Sequence, residues 1–151
     1  MSLFAIGDLH LSFGGKVDKP MDIYGGPWIS HWERLKENWE CIVREKDTVI
    51  IPGDISWAMH LSDAIEDLLW IAALPGKKVF LRGNHDLWWS SIKKLSQIDE
   101  SLCFLQNNCY EGENFILLGS RGWICPGDRD FEDSKDLKIY KRELIRLELS
   151  M

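Results

Sequence analysis

The chain has 151 residues, of which 45% are hydrophobic and 28% charged, a composition typical of a folded globular protein and not of a disordered or low-complexity chain. The net charge of −6 disfavours non-specific binding to nucleic acid or anionic lipid, because an acidic surface repels phosphates. No apolar run approaches the roughly 20 residues that a membrane helix needs, and the first residues lack the basic and apolar pattern of a signal peptide.

Cysteine usage bears on the cellular compartment. The four cysteines contain no C-x-x-C pair, and no export signal accompanies them. We therefore expect reduced thiols and a cytoplasmic protein.

Three short apolar runs, each stopped by glycine and a polar residue, predict buried strands. They occupy residues 3–6, 48–51 and 78–81. Unbroken runs of this length, rich in β-branched and aromatic residues, are typical of strands that are covered on both faces. The predicted core strands cover about residues 2–7, 47–52 and 78–82.

Helical patterns separate these runs. One apolar stripe is Trp28, Trp32, Leu35, Trp39 and Ile42, and a second is Leu61, Ile65, Leu68 and Ala72. Both stripes repeat at spacings of three and four, which places their members on one helix face. Ser62 is a plausible cap of the second helix, and Pro75-Gly76 would stop it. Alternation of strand and helix predicts right-handed crossovers and a parallel α/β sheet.

The second half of the sequence gives weaker patterns. Ile92, Leu95 and Ile98 suggest a short helix, and residues 102–105 and 115–118 look like strands. Residues 125–133 are rich in Pro, Gly and Asp and predict a loop. A last amphipathic helix is indicated by Leu137, Tyr140, Leu144 and Leu147.

The three strand ends carry side chains of the metal-binding type. They read Asp8-Leu9-His10, Gly53-Asp54 and Gly83-Asn84-His85-Asp86. In parallel α/β sheets, ligands gather at the carboxyl ends of the strands. Residues two apart in an extended segment project to one face, and an aspartate with an imidazole suits a first-row divalent ion.

These blocks resemble the signature of the calcineurin-like metallophosphoesterases, which runs D-x-H, then G-D, then G-N-H-D/E after successive strands. All three blocks stand here in order between residues 3 and 86. The resemblance implies a hydrolase of the α/β/β/α sandwich class with two divalent ions, such as Mn, Fe, Zn or Co. Asp8 and His10 would bind one ion, Asp54 would bridge, Asn84 would bind the second, and His85 would be the catalytic histidine.

The implied chemistry is phosphate-ester hydrolysis. Two ions about 3.5–4 Å apart clamp the phosphate and make hydroxide available near neutral pH. His85 would stabilise the phosphoryl charge or protonate the leaving group. The substrate would be a phosphomonoester or a phosphodiester.

The match to the family is incomplete. Family members carry further histidine ligands downstream, whereas the four histidines here are His10, His31, His60 and His85. We therefore expect residues 1–151 to be the N-terminal part of a single metallophosphoesterase domain whose sandwich lacks its C-terminal half. This predicts partial metal occupancy, impaired activity, and self-association through the surface that the missing half would cover.

Several residues have an ordinary structural interpretation beside the functional one. Asp8, Asp54 and Asn84-His85 could form turns or caps. Asp86, grouped with His85 as a candidate catalytic residue, could be a hydrogen-bond partner of a metal-binding histidine or a helix N-cap. His31 is expected to be structural or on the surface, and His60 could contact substrate. Arg82 could attract phosphate, or it could be solvated or ion-paired. Trp88-Trp89 could line the pocket mouth or pack in the core.

Three functional hypotheses follow. The first is a metal-dependent phosphoesterase. The second is a non-catalytic remnant that acts as a metal-binding or interaction module. The third is a nuclease-type phosphodiesterase, which the acidic charge and the absence of a basic stripe disfavour. We expect no membrane partner.

Overall fold

The computed structural model describes residues 1–15 and 17–151, which form two compact units, Met1–Phe104 and Leu105–Met151. The first unit contains a parallel sheet and the helices that cover it. The second unit contains a short hairpin and one long helix.

The sheet of the first unit has four parallel strands in the order in which they occur along the chain. These are β1 (Leu3–Ala5), β2 (Thr48–Ile51), β3 (Lys77–Phe80) and β4 (Leu102–Phe104). The three predicted core strands and their parallel pairing are therefore confirmed. The strand-like segment at 102–105 joins the same sheet, with Phe104 opposite Phe80. The chain is a mixed α/β protein, as predicted.

The first helix begins later than its apolar stripe suggested. Two 3₁₀ turns, Met21–Tyr24 and Gly26–Trp28, precede α1 (His31–Ile42). Trp28 thus lies outside the helix, and Ser30, with a φ of 49°, separates the two elements. A residue in the left-handed region interrupts a right-handed helix, and for this reason the stripe cannot continue back to Trp28.

The second helix, α2 (Leu61–Ala72), is in the predicted place, and Leu61, Leu68 and Ala72 of the predicted stripe contact the core, but the fully buried side of the helix is centred on a neighbouring row of residues. Its buried residues include Ala64, Leu68 and Ile71, whereas Ile65 is 39% exposed. Both stripes fit helical spacing and share Leu68, so periodicity alone could not choose between them. The N-cap residue is His60, not Ser62.

The core lies between the sheet and these helices. It includes Ile51 and Phe80 from the strands, Leu68 from α2, and Trp88 and Trp89 from the segment that leads to α3 (Ile92–Leu95). Trp88 is 2% exposed and Trp89 9%. The two tryptophans are therefore core residues and do not line a pocket mouth.

The second unit consists of β5 (Tyr110–Glu111), β6 (Ile116–Leu117) and α4 (Asp133–Ser150). The two strands pair antiparallel, and the Trp123 indole donates to Asp136 of α4 over 2.9 Å. The predicted C-terminal helix is confirmed and is longer than its apolar stripe.

None of the four cysteines forms a disulfide within the described residues. Within the part of the chain that is described, none of the helices has the length and apolarity needed to cross a membrane.

A buried aspartate on α2 predicts a pH-dependent stability. Asp67 is fully buried and accepts hydrogen bonds from the Phe13 amide and the Ser56 hydroxyl. Burial raises the pKa of Asp67 to about 6, against the lowering effect of those two bonds. Because the folded protein holds this proton more tightly than the unfolded chain, stability falls as pH rises from the unfolded pKa through the folded one.

We expect Asp67→Asn to remove this dependence. Between about pH 5 and about pH 8, the free energy of unfolding of the wild type should fall by about 1.5 kcal/mol relative to that of the variant. The amide keeps an acceptor for the Phe13 N–H, and the Ser56 hydroxyl can reverse its bond. Urea unfolding at both pH values measures the difference, and parallel pH profiles for the two proteins would refute the assignment.

Candidate metal centre

The loops that follow β1 and β2 run side by side beyond the sheet. The Asp8 amide donates to the Gly53 carbonyl over 3.2 Å, and the His10 amide donates to the Asp54 carbonyl over 2.9 Å. The Leu11 amide donates to the Ile55 carbonyl over 2.9 Å, which continues the pairing. This ladder places the first two candidate metal ligands directly beside the third.

The backbone is left-handed at each of these three ligands. The φ angles are 57° at Asp8, 47° at His10 and 53° at Asp54. Positive φ is uncommon outside glycine and costs on the order of 1 kcal/mol or more per residue. Such strained positions cluster at functional sites, because the surrounding structure holds side chains that an ordinary strand or turn would point elsewhere.

The side chains of Asp8, His10 and Asp54 converge. Each offers one ligand atom, and these atoms all lie within 4.8 Å of one another. The His10 Nε2 is 3.6 Å from the Asp8 Oδ1. Asp8 is exposed, whereas His10 and Asp54 are half-buried, so the cluster opens to solvent on one side.

The donor set fits a divalent ion. Two carboxylates and one imidazole are the ligands that first-row metals accept. Burial lowers the pKa of His10, against the raising effect of the Asp54 and Asp8 carboxylates. A lower pKa favours the neutral imidazole, which is the form that binds a metal.

Close packing of two glycines brings the third strand end to the same place. A Cβ on Gly53 would lie 2.5 Å from the Gly83 Cα, so the loops after β2 and β3 touch backbone to backbone. The His85 amide then donates to Asp54 Oδ1 over 3.0 Å. His85 and Asn84 are exposed, and the His85 ring lies 6.0 Å from the His10 ring.

Asp86 is fully buried, and five N–H groups donate to its carboxylate. The donors are the amides of Gly83, Asp54, Ile55 and Ser56 and the indole of Trp88. Burial raises its pKa, and the backbone hydrogen bonds oppose that effect. Asp86 is not a helix N-cap, because the next helix, α3, has Ser91 at its N-cap. Among the described residues, the hydrogen bonds of Asp86 go to these five N–H groups and not to a histidine ring. The carboxylate therefore joins the loop after β2 to the loop after β3.

The other candidate residues are placed as follows. His31 Nε2 is 2.9 Å from the Leu9 carbonyl, so His31 holds the loop between Asp8 and His10. His60 is the exposed N-cap residue of α2. Arg82 Nε donates to the Asp86 carbonyl over 3.2 Å, within its own loop.

One neighbour of the cluster was not singled out from the sequence as a site residue. The Trp57 ring stacks on His10, with ring centroids 4.5 Å apart and an interplanar angle of 16°. Trp57 lies three residues after Asp54, and this closeness in sequence could have pointed to the site. A tryptophan beside a helix is, however, more often a core residue.

Comparison with known proteins agrees with this arrangement. The family model described as "Calcineurin-like phosphoesterase" matches residues 1–148. The chain belongs to the calcineurin-like phosphoesterase family. The predicted family resemblance is thereby confirmed, and the candidate Asp-His-Asp group lies within the matched residues.

Two curated relatives of this calcineurin-like phosphoesterase match over part of their length. An uncharacterized protein of Methanocaldococcus jannaschii is 29% identical over 93 residues, which is 62% of this chain and 49% of that protein. The gene 66 protein of Mycobacterium phage L5 is 41% identical over 56 residues, 37% of this chain and 27% of that protein. The chain thus spans half or less of the length of these relatives.

One crystal structure supports the fold. It is that of a protein of unknown function from Aquifex aeolicus, which matches with a TM-score of 0.52 and 21% identity, covering 95% of this chain and 75% of the other. At this identity the match supports the fold alone.

Proposed function

We propose that this calcineurin-like phosphoesterase hydrolyses a phosphomonoester or phosphodiester in a reaction that depends on divalent metal. The observation that carries the proposal is the convergence of Asp8, His10 and Asp54 to within 4.8 Å at the carboxyl ends of two adjacent parallel strands. The left-handed backbone at all three positions supports a functional role, because strained residues cluster at functional sites.

The proposed roles follow the family resemblance, and the convergence of Asp8, His10 and Asp54 supports them. Asp8 and His10 would hold one ion, Asp54 would serve both, and Asn84 would hold the second. Bound divalent ions, such as manganese, iron, zinc or cobalt, supply charge for the phosphoryl oxygens and acidify water. His85, exposed at the rim and tied to Asp54 through its amide, would donate a hydrogen bond or a proton to the substrate oxygens.

We propose a positioning role for Asp86 and not a catalytic one. All five of its hydrogen bonds go to donors of the surrounding loops and of Trp88. A buried carboxylate that is already fully coordinated by N–H groups has little capacity left for a substrate.

The second ion should be held weakly by this polypeptide. No histidine follows His85 in the sequence, so Asp54 and Asn84 are the proposed ligands that this chain offers there. Two protein ligands hold an ion less tightly than a site that adds imidazole ligands, and iron, zinc and cobalt would lose most from the missing nitrogens. This asymmetry supports the alternative of a metal-binding module without efficient catalysis.

Cysteines without disulfides fit a reducing compartment, and we propose a cytoplasmic location for the protein.

Hydrolysis assays separate these possibilities. With manganese added, we expect slow turnover of p-nitrophenyl phosphate or bis-p-nitrophenyl phosphate by the 151-residue chain and none by Asp54→Asn. Poor turnover is expected because both ions must be fixed for in-line attack, and a misplacement of about 1 Å costs on the order of a hundredfold in rate.

Two results would contradict parts of this proposal, the first the role of the cluster in hydrolysis and the second the weak binding of the second ion. Equal rates for the wild type and Asp54→Asn at saturating manganese would exclude this cluster as the source of activity. Fast turnover that disappears in the variant would show that the second ion is held tightly after all, most simply by a site completed across subunits.

A further inference from the structure

We propose that Trp57 is a positioning residue that sets the ring orientation of His10 and His85, an inference that rests on the proposed metal-dependent function. The indole contacts both histidines. Its ring stacks on His10 at 4.5 Å and lies 4.9 Å from the His85 ring at an angle of 60°. A proposed metal ligand and a proposed catalytic group thus share one aromatic neighbour.

The indole is itself fixed from several directions. Its Nε1 donates to the Met21 sulfur over 3.3 Å, and Met21 is 5% exposed. The Trp57 amide donates to the Leu11 carbonyl over 3.0 Å, which continues the ladder between the two ligand-bearing loops. The Lys19 ammonium lies 4.7 Å from the ring centroid. A ring held by its backbone, its N–H and a cation has few rotamers open to it.

The hydrogen bonding of the two His10 ring nitrogens explains why the contact with Trp57 matters. Metal-binding histidines usually donate their second ring N–H to an oxygen, and this bond fixes the orientation of the ring. Here the Nε2 faces Asp8, whereas the buried Nδ1 has no hydrogen-bond partner among the residues that the structure describes. Flat stacking on Trp57 therefore replaces the usual hydrogen bond as the restraint on the ring.

Two Trp57 variants, one control variant and two readouts test the proposal. Trp57→Leu removes the flat ring, Trp57→Phe keeps a smaller one, and Trp39→Phe is the control for loss of a core tryptophan distant in sequence from the ligands. We expect Trp57→Leu to weaken Mn²⁺ binding by about tenfold or more, within the range for residues that orient metal ligands. Trp57→Phe should recover most of that loss, and Trp39→Phe should bind Mn²⁺ as the wild type does.

The second readout needs no metal. With only four histidines in the chain, the ring carbon-bound protons of His10 can be assigned by NMR in the metal-free protein. We expect ring-current shifts at His10 and His85 that disappear in Trp57→Leu and persist in reduced form in Trp57→Phe. Trp39→Phe should leave them unchanged.

The outcomes are distinct. A folded Trp57→Leu protein with wild-type histidine shifts would overturn the proposal, and so would wild-type Mn²⁺ affinity in that variant. If Trp57→Leu does not fold, the Trp57→Phe spectrum decides, because His10 shifts identical to wild type would mean that the indole does not stack on the ring, which would overturn the proposal. Absence of Mn²⁺ binding in the wild type would contradict the proposed function, and the metal-free shifts would still show whether Trp57 stacks on the two histidines.

Discussion

Replacing Asp86 with asparagine is expected to lower the free energy of unfolding by about 3 kcal/mol or more, since each buried donor left without an acceptor costs roughly 1–3 kcal/mol. Three N–H groups donate to Oδ1 and two to Oδ2. An amide has one oxygen, so its NH₂ group must face at least two of these donors. The loops after β2 and β3 would then lose the shared carboxylate that accepts hydrogen bonds from both of them.

Asp67→Asn is the matched control for that experiment. Both aspartates are fully buried, but only one of the two bonds to Asp67 comes from a fixed backbone amide, and the other comes from a hydroxyl that can reverse. At neutral pH we expect Asp67→Asn to be neutral or stabilising, while Asp86→Asn is strongly destabilising. Chemical denaturation measures both, and equal effects at the two positions would contradict the proposed positioning role of Asp86.

Replacing Asp54 with asparagine is expected to weaken Mn²⁺ binding by about a hundredfold or more, beyond the range found for residues that only orient ligands. Asp54 is the proposed bridging ligand, so its charge serves both ions. The asparagine oxygen can still accept the His85 amide bond that Asp54 Oδ1 accepts now, which preserves the local fold. Isothermal titration with Mn²⁺ measures the change in affinity.

The same substitution should leave the metal-free protein folded and no less stable. Asp54 lies near the Asp8 carboxylate in the cluster, and removal of one of two like charges relieves repulsion. A gain of up to about 1 kcal/mol in metal-free stability is typical when a strained functional site is relaxed. If a folded Asp54→Asn protein kept wild-type Mn²⁺ affinity, Asp54 would not be a ligand.

The parts of this structure that follow from local patterns could be predicted from the sequence. Short apolar runs stopped by glycine identify β1, β2 and β3, because a strand covered on both faces needs an unbroken apolar sequence. Parallel strands end at one edge of the sheet, so the predicted convergence of Asp8 and Asp54 needed only the order of the elements.

The parts that depend on three-dimensional contacts could not be predicted in this way. Asp86 follows the third strand as its neighbours do, and nothing in its local sequence shows that donors from a loop about 30 residues earlier converge on it. The start of α1 is set by the left-handed backbone at Ser30. A serine in the sequence does not predict this conformation. The stacking of Trp57 on His10 depends on the pairing of two loops beyond the sheet.

Paramagnetic NMR with Mn²⁺ tests most directly whether the three strand ends form a divalent-metal site. At substoichiometric Mn²⁺, we predict that amide signals of Asp8 and His10, of Gly53 and Asp54, and of residues 83–85 broaden first and together. Asp54→Asn should abolish this broadening at the same Mn²⁺ concentration. Broadening that begins elsewhere in the chain, or that survives unchanged in the variant, would contradict the proposed metal site.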